Sequence, residues 1–453
     1  MTRVLIVGAG PAGIRAAEAL ADAGLRPVVV DEGERAGGQI YRRPPEGFVR
    51  PGAALYGSEA GKAAALHRVF DALVAEGRVE HRPRTSVLGL RDGAAQVLGP
   101  EGMARVTHDA LILATGASDR VMPVPGWQQA GVYTLGAAQI ALKAQGVAIG
   151  RRIVLAGSGP LLTLVAAQLR AAGGAVEAVL DTAPLAAQAA GGVRMALSRP
   201  RMTARGGRMR AGLGRSYHAG TELERIETGE GGVAAVRWRD GRGRARRTPC
   251  DAVAIGWHLR SETALADLAG VPFDWSDDWA QWLPRADAMG RAGGATYLAG
   301  DGLRILGADG AELSGRLAAI ACLRDLGLPA PDPRPDARRL SRMARFGRGV
   351  ALAFPWPGAA AARLPDDAVL CRCEGVTAGE LRTAMARSGF EANRAKSLSR
   401  VGMGRCQGRF CQIAAAEVMA RAAGTAPAEA GRLRAQPPVR PAPVDALLRG
   451  AGG

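Results

Sequence analysis

The chain has 453 residues, 47% of them hydrophobic, which is enough for two or three domains with cores of their own and too apolar for a disordered chain. No run of about 18 uninterrupted apolar residues occurs, so no membrane span is expected. The net charge of +17 rests almost wholly on arginine, since lysine occurs only at Lys62, Lys143 and Lys396; with 4% aromatic residues and no recognition motif, this composition argues against a nucleic-acid binder.

In chain order, Val4 to Val7 is a short apolar run of the buried parallel-strand type, entered directly from Met1-Thr2-Arg3. That start leaves no room for a signal peptide, and a cytoplasmic protein is expected. Gly8-Ala9-Gly10-Pro11-Ala12-Gly13 follows as a G-x-G-x-x-G turn, then an alanine-rich helix over 14–23 ended by Gly24, then a strand at 28–30. The first glycine of such a turn permits the bend, the second lets backbone approach a pyrophosphate, and the third lets helix and strand pack closely. The helix N-terminus presents free N–H groups to the phosphates. Asp31, with Glu32 beside it, ends the strand 23 residues after Gly8, where a carboxylate can accept from ribose hydroxyls. Arg35-Ala36-Gly37-Gly38-Gln39 comes next, and Thr115-Gly116 ends a later apolar strand at 111–114.

A second strand–turn–helix–strand unit spans 153–181, about 150 residues after the first. Its turn, Gly157-Ser158-Gly159-Pro160-Leu161-Leu162, carries leucine where the third small residue belongs, while Asp181 holds the ribose position. The expectation is a second nucleotide-type domain that binds NAD(P)H poorly and serves mainly as scaffold. Beyond it, Arg194, Arg199, Arg201, Arg205, Arg208, Arg210 and Arg215 lie in a stretch without a single acid. That stretch reads first as a solvated face, and second as a dock for an acidic partner or a phosphate. Strands at 251–256 and 297–299 follow, the latter ending in Gly300-Asp301 before a helix near 315–323. The Pro- and Arg-rich segment 326–365 reads as a linker.

The last module, 366–426, opens a helix with the capping box Thr377-Ala378-Gly379-Glu380 and ends in a helix over 412–423 stopped by Gly424. The proline-bearing remainder, 427–453, is expected to be an extended tail. Four of the six cysteines belong to this module: Cys371 and Cys373 form C-x-C, and after 32 residues Cys406 and Cys411 form C-x4-C. In a cytosolic chain such a set suggests metal ligation rather than disulfides. Four thiolates suit a [2Fe-2S] cluster or a structural zinc. C-x-C is unusual for zinc, and Gly402, Gly404 and Gly408 leave N–H groups free for cluster sulfurs, so the cluster is favoured.

Several chemistries are excluded or unsupported. No Cys-x-x-Cys lies in the first 365 residues, against a disulfide reductase. Residues 57–62 fall one residue short of a P-loop and lack its Ser/Thr. His67, His81, His108, His218 and His258 show no ligand spacing. No catalytic base or nucleophile stands out.

The glycine turn, Gly38-Gln39, Thr115-Gly116 and Gly300-Asp301 together resemble the two-dinucleotide-domain flavoproteins of the glutathione-reductase type. This resemblance covers residues 1 to about 325. It implies an α/β fold of two doubly wound Rossmann-like domains, the first built from 1–120 and 290–325 and binding FAD, the second (121–289) inserted in it. In that family the late aspartate, here Asp301, touches the ribityl chain. The stretches 371–377 and 402–411 resemble the bacterioferritin-associated-ferredoxin-like [2Fe-2S] domain, a small, mainly helical module. Flavoprotein body and module together resemble the large (alpha) subunits of the opine oxidase, hydroxyproline or proline dehydrogenase and hydrogen cyanide synthase group. The leucine at 162 is shared with that group.

The resemblance implies an electron-transfer role. A partner beta subunit of amino-acid-oxidase type, with its own FAD, would oxidise the C–N bond of an amino or imino acid (D-hydroxyproline, proline, opine or glycine class). A small 2Fe-2S subunit can accompany the pair. The resemblance also admits FMN at a subunit interface, and ATP or NAD in a nucleotide site of this chain. Two other readings stay open: a self-sufficient NAD(P)H-dependent flavin/iron–sulfur reductase, and a nucleotide-bound, zinc-stabilised scaffold.

Overall fold

The computed structural model describes residues 2–448. Two parallel sheets organise the body, because runs such as Val4–Val7, Ala110–Leu113 and Ala252–Trp257 are apolar on both faces and must be covered on both. The first sheet has five strands in the order Thr296–Leu298, Ala110–Leu113, Val4–Val7, Val28–Val30, Glu80–Arg82, every pair parallel. It therefore closes with a strand that arrives nearly 200 residues after its neighbour. The second sheet orders Tyr217–Ala219, Ala175–Asp181, Arg152–Ser158, Ala252–Trp257 and Val132–Thr134, again all parallel. Each sheet is accompanied by a three-stranded antiparallel ribbon, one within 86–107 and the other within 222–249. Ala117–Asp119 and Leu259–Ser261, where the chain leaves the first sheet and returns, pair antiparallel.

The helix Pro11–Asp22 packs on Gly307–Asp325 so closely that a side chain at Gly315 would run into the backbone of Ala12. The reading of 326–365 as a linker is corrected: Arg334–Ala353 is a 20-residue helix. Its prolines gather at the N-terminus, with Pro335 in the first turn where a missing N–H costs nothing. Small residues on its inner face let it lie against Leu185–Ser198, with a Cβ at Gly349 coming within 2.8 Å of Met195.

The cysteine module is a short hairpin, Val369–Cys371 with Val376–Thr377, followed by helices Ala378–Ser388, Ala392–Ser399 and Gln412–Ala423. Thr377 and Glu380 form the reciprocal capping box, and Gly424 terminates the last helix in the left-handed conformation. The module does not hang from the body. Leu370, Cys371, Val376, Val418 and Met419 share one buried cluster with Trp127, Val154, Ile255 and Trp257 of the second sheet domain. Trp127 donates its indole N–H to the Val369 carbonyl at 2.6 Å.

The segment after Gly424 runs back across the body instead of extending away from it. Asp267, buried, accepts from both terminal nitrogens of Arg432 at 2.7 and 2.9 Å, from Arg434 Nε at 3.0 Å and from the Ala435 N–H at 2.7 Å. Val439 donates to Leu88 of the first ribbon at 2.9 Å, and Val444–Leu448 is a short helix. No described helix is long and apolar enough to cross a membrane.

Candidate functional site: a nucleotide cradle joined to a cysteine loop

Gly8 leaves the strand Val4–Val7 at φ +106°, and a Cβ there would strike the Ala114 carbonyl. A Cβ on Gly13 would strike the carbonyl of Gly8, so both positions need the bare backbone. Gly10 caps the helix without a side-chain hydrogen bond, Pro11 occupies its first turn, and Ala12 faces Gly300. The helix end thus keeps its N–H groups free for an anion. Gly37 donates to the Ala9 carbonyl at 2.8 Å, which brings Gly38 (φ +63°) against Gly10, where a Cβ would approach its Cα to 2.9 Å. The neighbouring Gln39 is exposed and accepts from Arg42.

Asp31 accepts from the Ala9 N–H at 2.5 Å and from the Gly33 N–H at 2.6 Å. Burial raises its pKa, while those two amides oppose the rise. Half-buried, it ties the turn to the end of its neighbouring strand and keeps lone pairs for a further donor. Glu32 is exposed and paired with Arg440 of the returning tail.

Thr115-Gly116 ends the strand beside this turn and Gly300-Asp301 the next strand out, at the C-terminal edge where parallel sheets bind ligands. Gly300 adopts φ +67° and donates to Ser314 Oγ at 2.7 Å. Asp301 accepts from the Leu306 N–H at 3.0 Å, and burial raises its pKa. Glycine contacts that exclude any Cβ, free helix N–H groups and the Asp31 carboxylate are the donor set a dinucleotide needs, so the residues fit a flavin nucleotide.

The second turn is built otherwise. Gly157 (φ +145°) lies against the Gly256 carbonyl and Gly159 (φ +109°) beside His258. Leu162 is fully buried among Leu135, Leu155 and Val165. Asp181, also fully buried, accepts from the Tyr217 hydroxyl at 2.6 Å and the Ala183 N–H at 2.8 Å. The position expected to meet a ribose is thus taken by the protein's own groups.

Among the cysteines, the Cys411 thiol donates to Cys371, which also receives the N–H groups of Gly402, Glu374 and Cys373 and is lowered to about 6. Cys373 and Cys406 pair in the same manner; burial raises Cys406 to about 11, against the N–H groups of Phe410 and Gly408. Cys371 and Cys411 are buried, Cys373 and Cys406 partly so. Among the described residues, no three His, Cys, Asp or Glu side chains stand where they could share a single metal ion. The four thiols stand together as two hydrogen-bonded pairs, a set of soft donors that fits a metal group. Cys411 caps the helix Gln412–Ala423, whose positive end faces the set.

Sequence reading missed the side chains that join these two sites. Thr115 Oγ donates to the Glu262 carbonyl at 2.6 Å, and the Glu262 N–H to the Gly116 carbonyl at 3.0 Å. The Glu262 carboxylate accepts from Arg409 Nε at 2.5 Å, in a pair with side chains only 7% and 13% exposed. Arg409 lies inside the C-x4-C loop and donates to the Cys406 carbonyl at 3.0 Å and the Val439 carbonyl at 2.9 Å. Its place between two cysteines was the available signal; Glu262 offered none. An open cleft adjoins this bridge, bordered by Trp275, Trp282 and Gln407.

Residues 2–278 match the pyridine nucleotide-disulphide oxidoreductase family, and residues 369–452 match the sarcosine oxidase A3 domain. A subunit of the opine oxidase of Rhizobium meliloti is 38% identical over 97% of this chain and 85% of its own length. The chain belongs to this family of oxidoreductase subunits. The hydrogen cyanide synthase subunit HcnB of Pseudomonas protegens is 32% identical over 98% of this chain and 97% of its own. The crystal structure of L-proline dehydrogenase from P. horikoshii superimposes with a TM-score of 0.71 at 20% identity, covering 98% of this chain and 80% of that one; this likeness concerns the fold. Family membership makes the chain a flavin-dependent oxidoreductase, and the named relatives are subunits of larger enzymes.

Proposed function

We propose that this chain is the electron-transfer subunit of a heteromeric dehydrogenase complex that oxidises an amino or imino acid at a C–N bond. The oxidation itself belongs to an FAD-bearing partner of amino-acid-oxidase type, and the complex works in the cytoplasm. The observation that carries this reading is the direct bridge Thr115–Glu262–Arg409–Cys406 between nucleotide cradle and cysteine loop. When bound, a flavin accepts electrons in pairs and a [2Fe-2S] cluster carries them singly, so the two together divide a pair.

The chain's own residues do the holding. Gly8, Gly10 and Gly13 with the helix N-terminus would take the diphosphate, Asp31 a ribose, and Asp301 the ribityl side. Cys371, Cys373, Cys406 and Cys411 would ligate the cluster. The buried Leu162 and the occupied Asp181 support a scaffold role for the second domain, which disfavours a self-sufficient NAD(P)H reductase.

The deciding experiment is anaerobic co-production with an amino-acid-oxidase-like protein from the same source. Iron, zinc and flavin are then quantified, and visible spectra are recorded after adding proline, hydroxyproline, opines or glycine. Bound iron, bound flavin and bleaching by one of these substrates but not by NADH are expected. A colourless zinc protein, or bleaching of the lone chain by NADH, overturns the reading.

A further inference from the structure

Many arginines of this chain are spent on carboxylates of the chain itself. Arg291 clamps Asp325, Arg432 clamps Asp267 and Arg285 clamps Asp274, for example. On two touching helices, arginines without such a partner gather. Leu185–Ser198 continues through Arg199 into Pro200–Gly212, and the first of these crosses Arg334–Ala353 where Gly191 and Met195 meet Gly349 and Ala353. On this pair Arg194, Arg201, Arg208, Arg338, Arg342, Arg345 and Arg348 are all exposed, and among the described residues none has a carboxylate partner. Residues 182–215 contain no acid, and the one acid of the second helix, Asp336, is buried and held by Arg316. Arg194 and Arg348 adjoin the crossing itself, and Arg199 reaches across to Phe346. The charge is therefore one patch.

Two further features mark it as a covered surface. Val193 and Leu197, 63% and 83% exposed, sit among the arginines, giving the apolar elements an interface centre needs. The helix Pro200–Gly212 buries none of its side chains, although it carries Gly206, Gly207 and Gly212, each a helix-weakening residue. Arg205 and Arg210 tie one side of this helix to Glu59 and Tyr217, and its other side, with Arg201 and Arg208, is left open.

We infer that this arginine-faced helix pair is the docking surface for an acidic face of the partner subunit. The inference rests on the subunit reading proposed above. A second copy of this chain is a poor occupant, because a two-fold contact would set the patch against itself, charge on like charge. Nucleic acid is disfavoured by the exposed apolar side chains of Val193 and Leu197 at its centre, and the patch has no tryptophan or tyrosine on which bases could stack.

The test uses the full chain, affinity-tagged and isolated from its source cells at 0.05 and 0.5 M salt. The eluting species are sized and their components identified by mass. Three quadruple variants are compared with it: Arg194, Arg201, Arg342 and Arg345 all changed to Glu; the same four changed to Lys; and, as a control away from the patch, Arg363, Arg387, Arg394 and Arg421 changed to Glu. At low salt the wild type, the lysine variant and the control should elute together with an amino-acid-oxidase-like protein. The glutamate variant should bind it at least about 30-fold more weakly, while keeping its iron and nucleotide content and circular dichroism. A glutamate variant that keeps the partner overturns the surface and leaves the subunit reading standing. A wild-type chain that elutes alone, as a homodimer, or with nucleic acid in place of protein overturns both.

Discussion

Replacing Asp267 by Asn removes the charge that holds the returning tail while leaving the side chain's size almost unchanged. The carboxylate is 7% exposed and accepts four close hydrogen bonds, three from guanidinium groups. Arg432 is itself only 15% exposed and stacks 3.9 Å over Phe273, so it cannot simply turn into water. Stranding one member of a buried pair costs about 3–5 kcal/mol. Arg434 is 61% exposed and loses little, which places the expected cost near the lower end, about 3 kcal/mol. That corresponds to roughly a hundredfold rise in the population of the released tail. Trypsin reports it directly, because release uncovers the bonds after Arg432 and Arg434. Fragment masses should show cleavage there about 100 times faster than in the wild type. Because Arg440 of the same tail pairs with Glu32, bound flavin should also dissociate faster. Burial alone would raise the Asp267 pKa, but the hydrogen bonds from Arg432 and Ala435 and the two positive charges outweigh it and lower it. The tail's attachment is therefore complete above the usual carboxylate range and lost as pH falls through the depressed value; with pepsin, which is active in acid, wild-type cleavage near Leu433 should accelerate only below about pH 4. Cleavage of the variant within threefold of the wild type at neutral pH would refute the role given to this carboxylate.

Gly13→Ala sets a methyl group against the Gly8 carbonyl and should lower bound flavin at least about tenfold, read by absorbance after gel filtration, with the cysteine module's iron unchanged. Cys371→Ser should have the opposite pattern: iron lost, flavin kept. His258, with φ +67° and a buried Nε2 that lacks a hydrogen-bond partner, is pushed down to about 4 by burial, with help from the Arg120 charge. Between about pH 6.5 and 4 the unfolded chain binds a proton that the folded one does not, so stability falls toward acid by up to about 1.4 kcal/mol per pH unit. His258→Asn, a residue that tolerates the left-handed conformation, should remove that slope in denaturant titrations.

Local signals carried the elements that sequence reading recovered. The two glycine turns, the Thr377–Glu380 capping box and the Gly424 stop are each decided within a few residues of backbone. The helix Arg334–Ala353 escaped because its inner face is small rather than apolar; Gly347, Gly349 and Ala353 fit a neighbour whose position no local pattern encodes. Asp267 with Arg432, and Glu262 with Arg409, are separated by about 150 residues or more, and nothing in either segment names its partner. The occupied state of Asp181 depends likewise on Tyr217 returning on a separate strand.

Iron–sulfur carriers on flexible tethers shuttle between donor and acceptor, and their throughput depends on leash length. Here the hairpin and helices around the cysteines are set into the same apolar interior as Trp127 and Trp257. Such a module cannot swing. In the role proposed above, an electron reaching it would cross one fixed gap, set by Trp127's grip on the Val369 carbonyl.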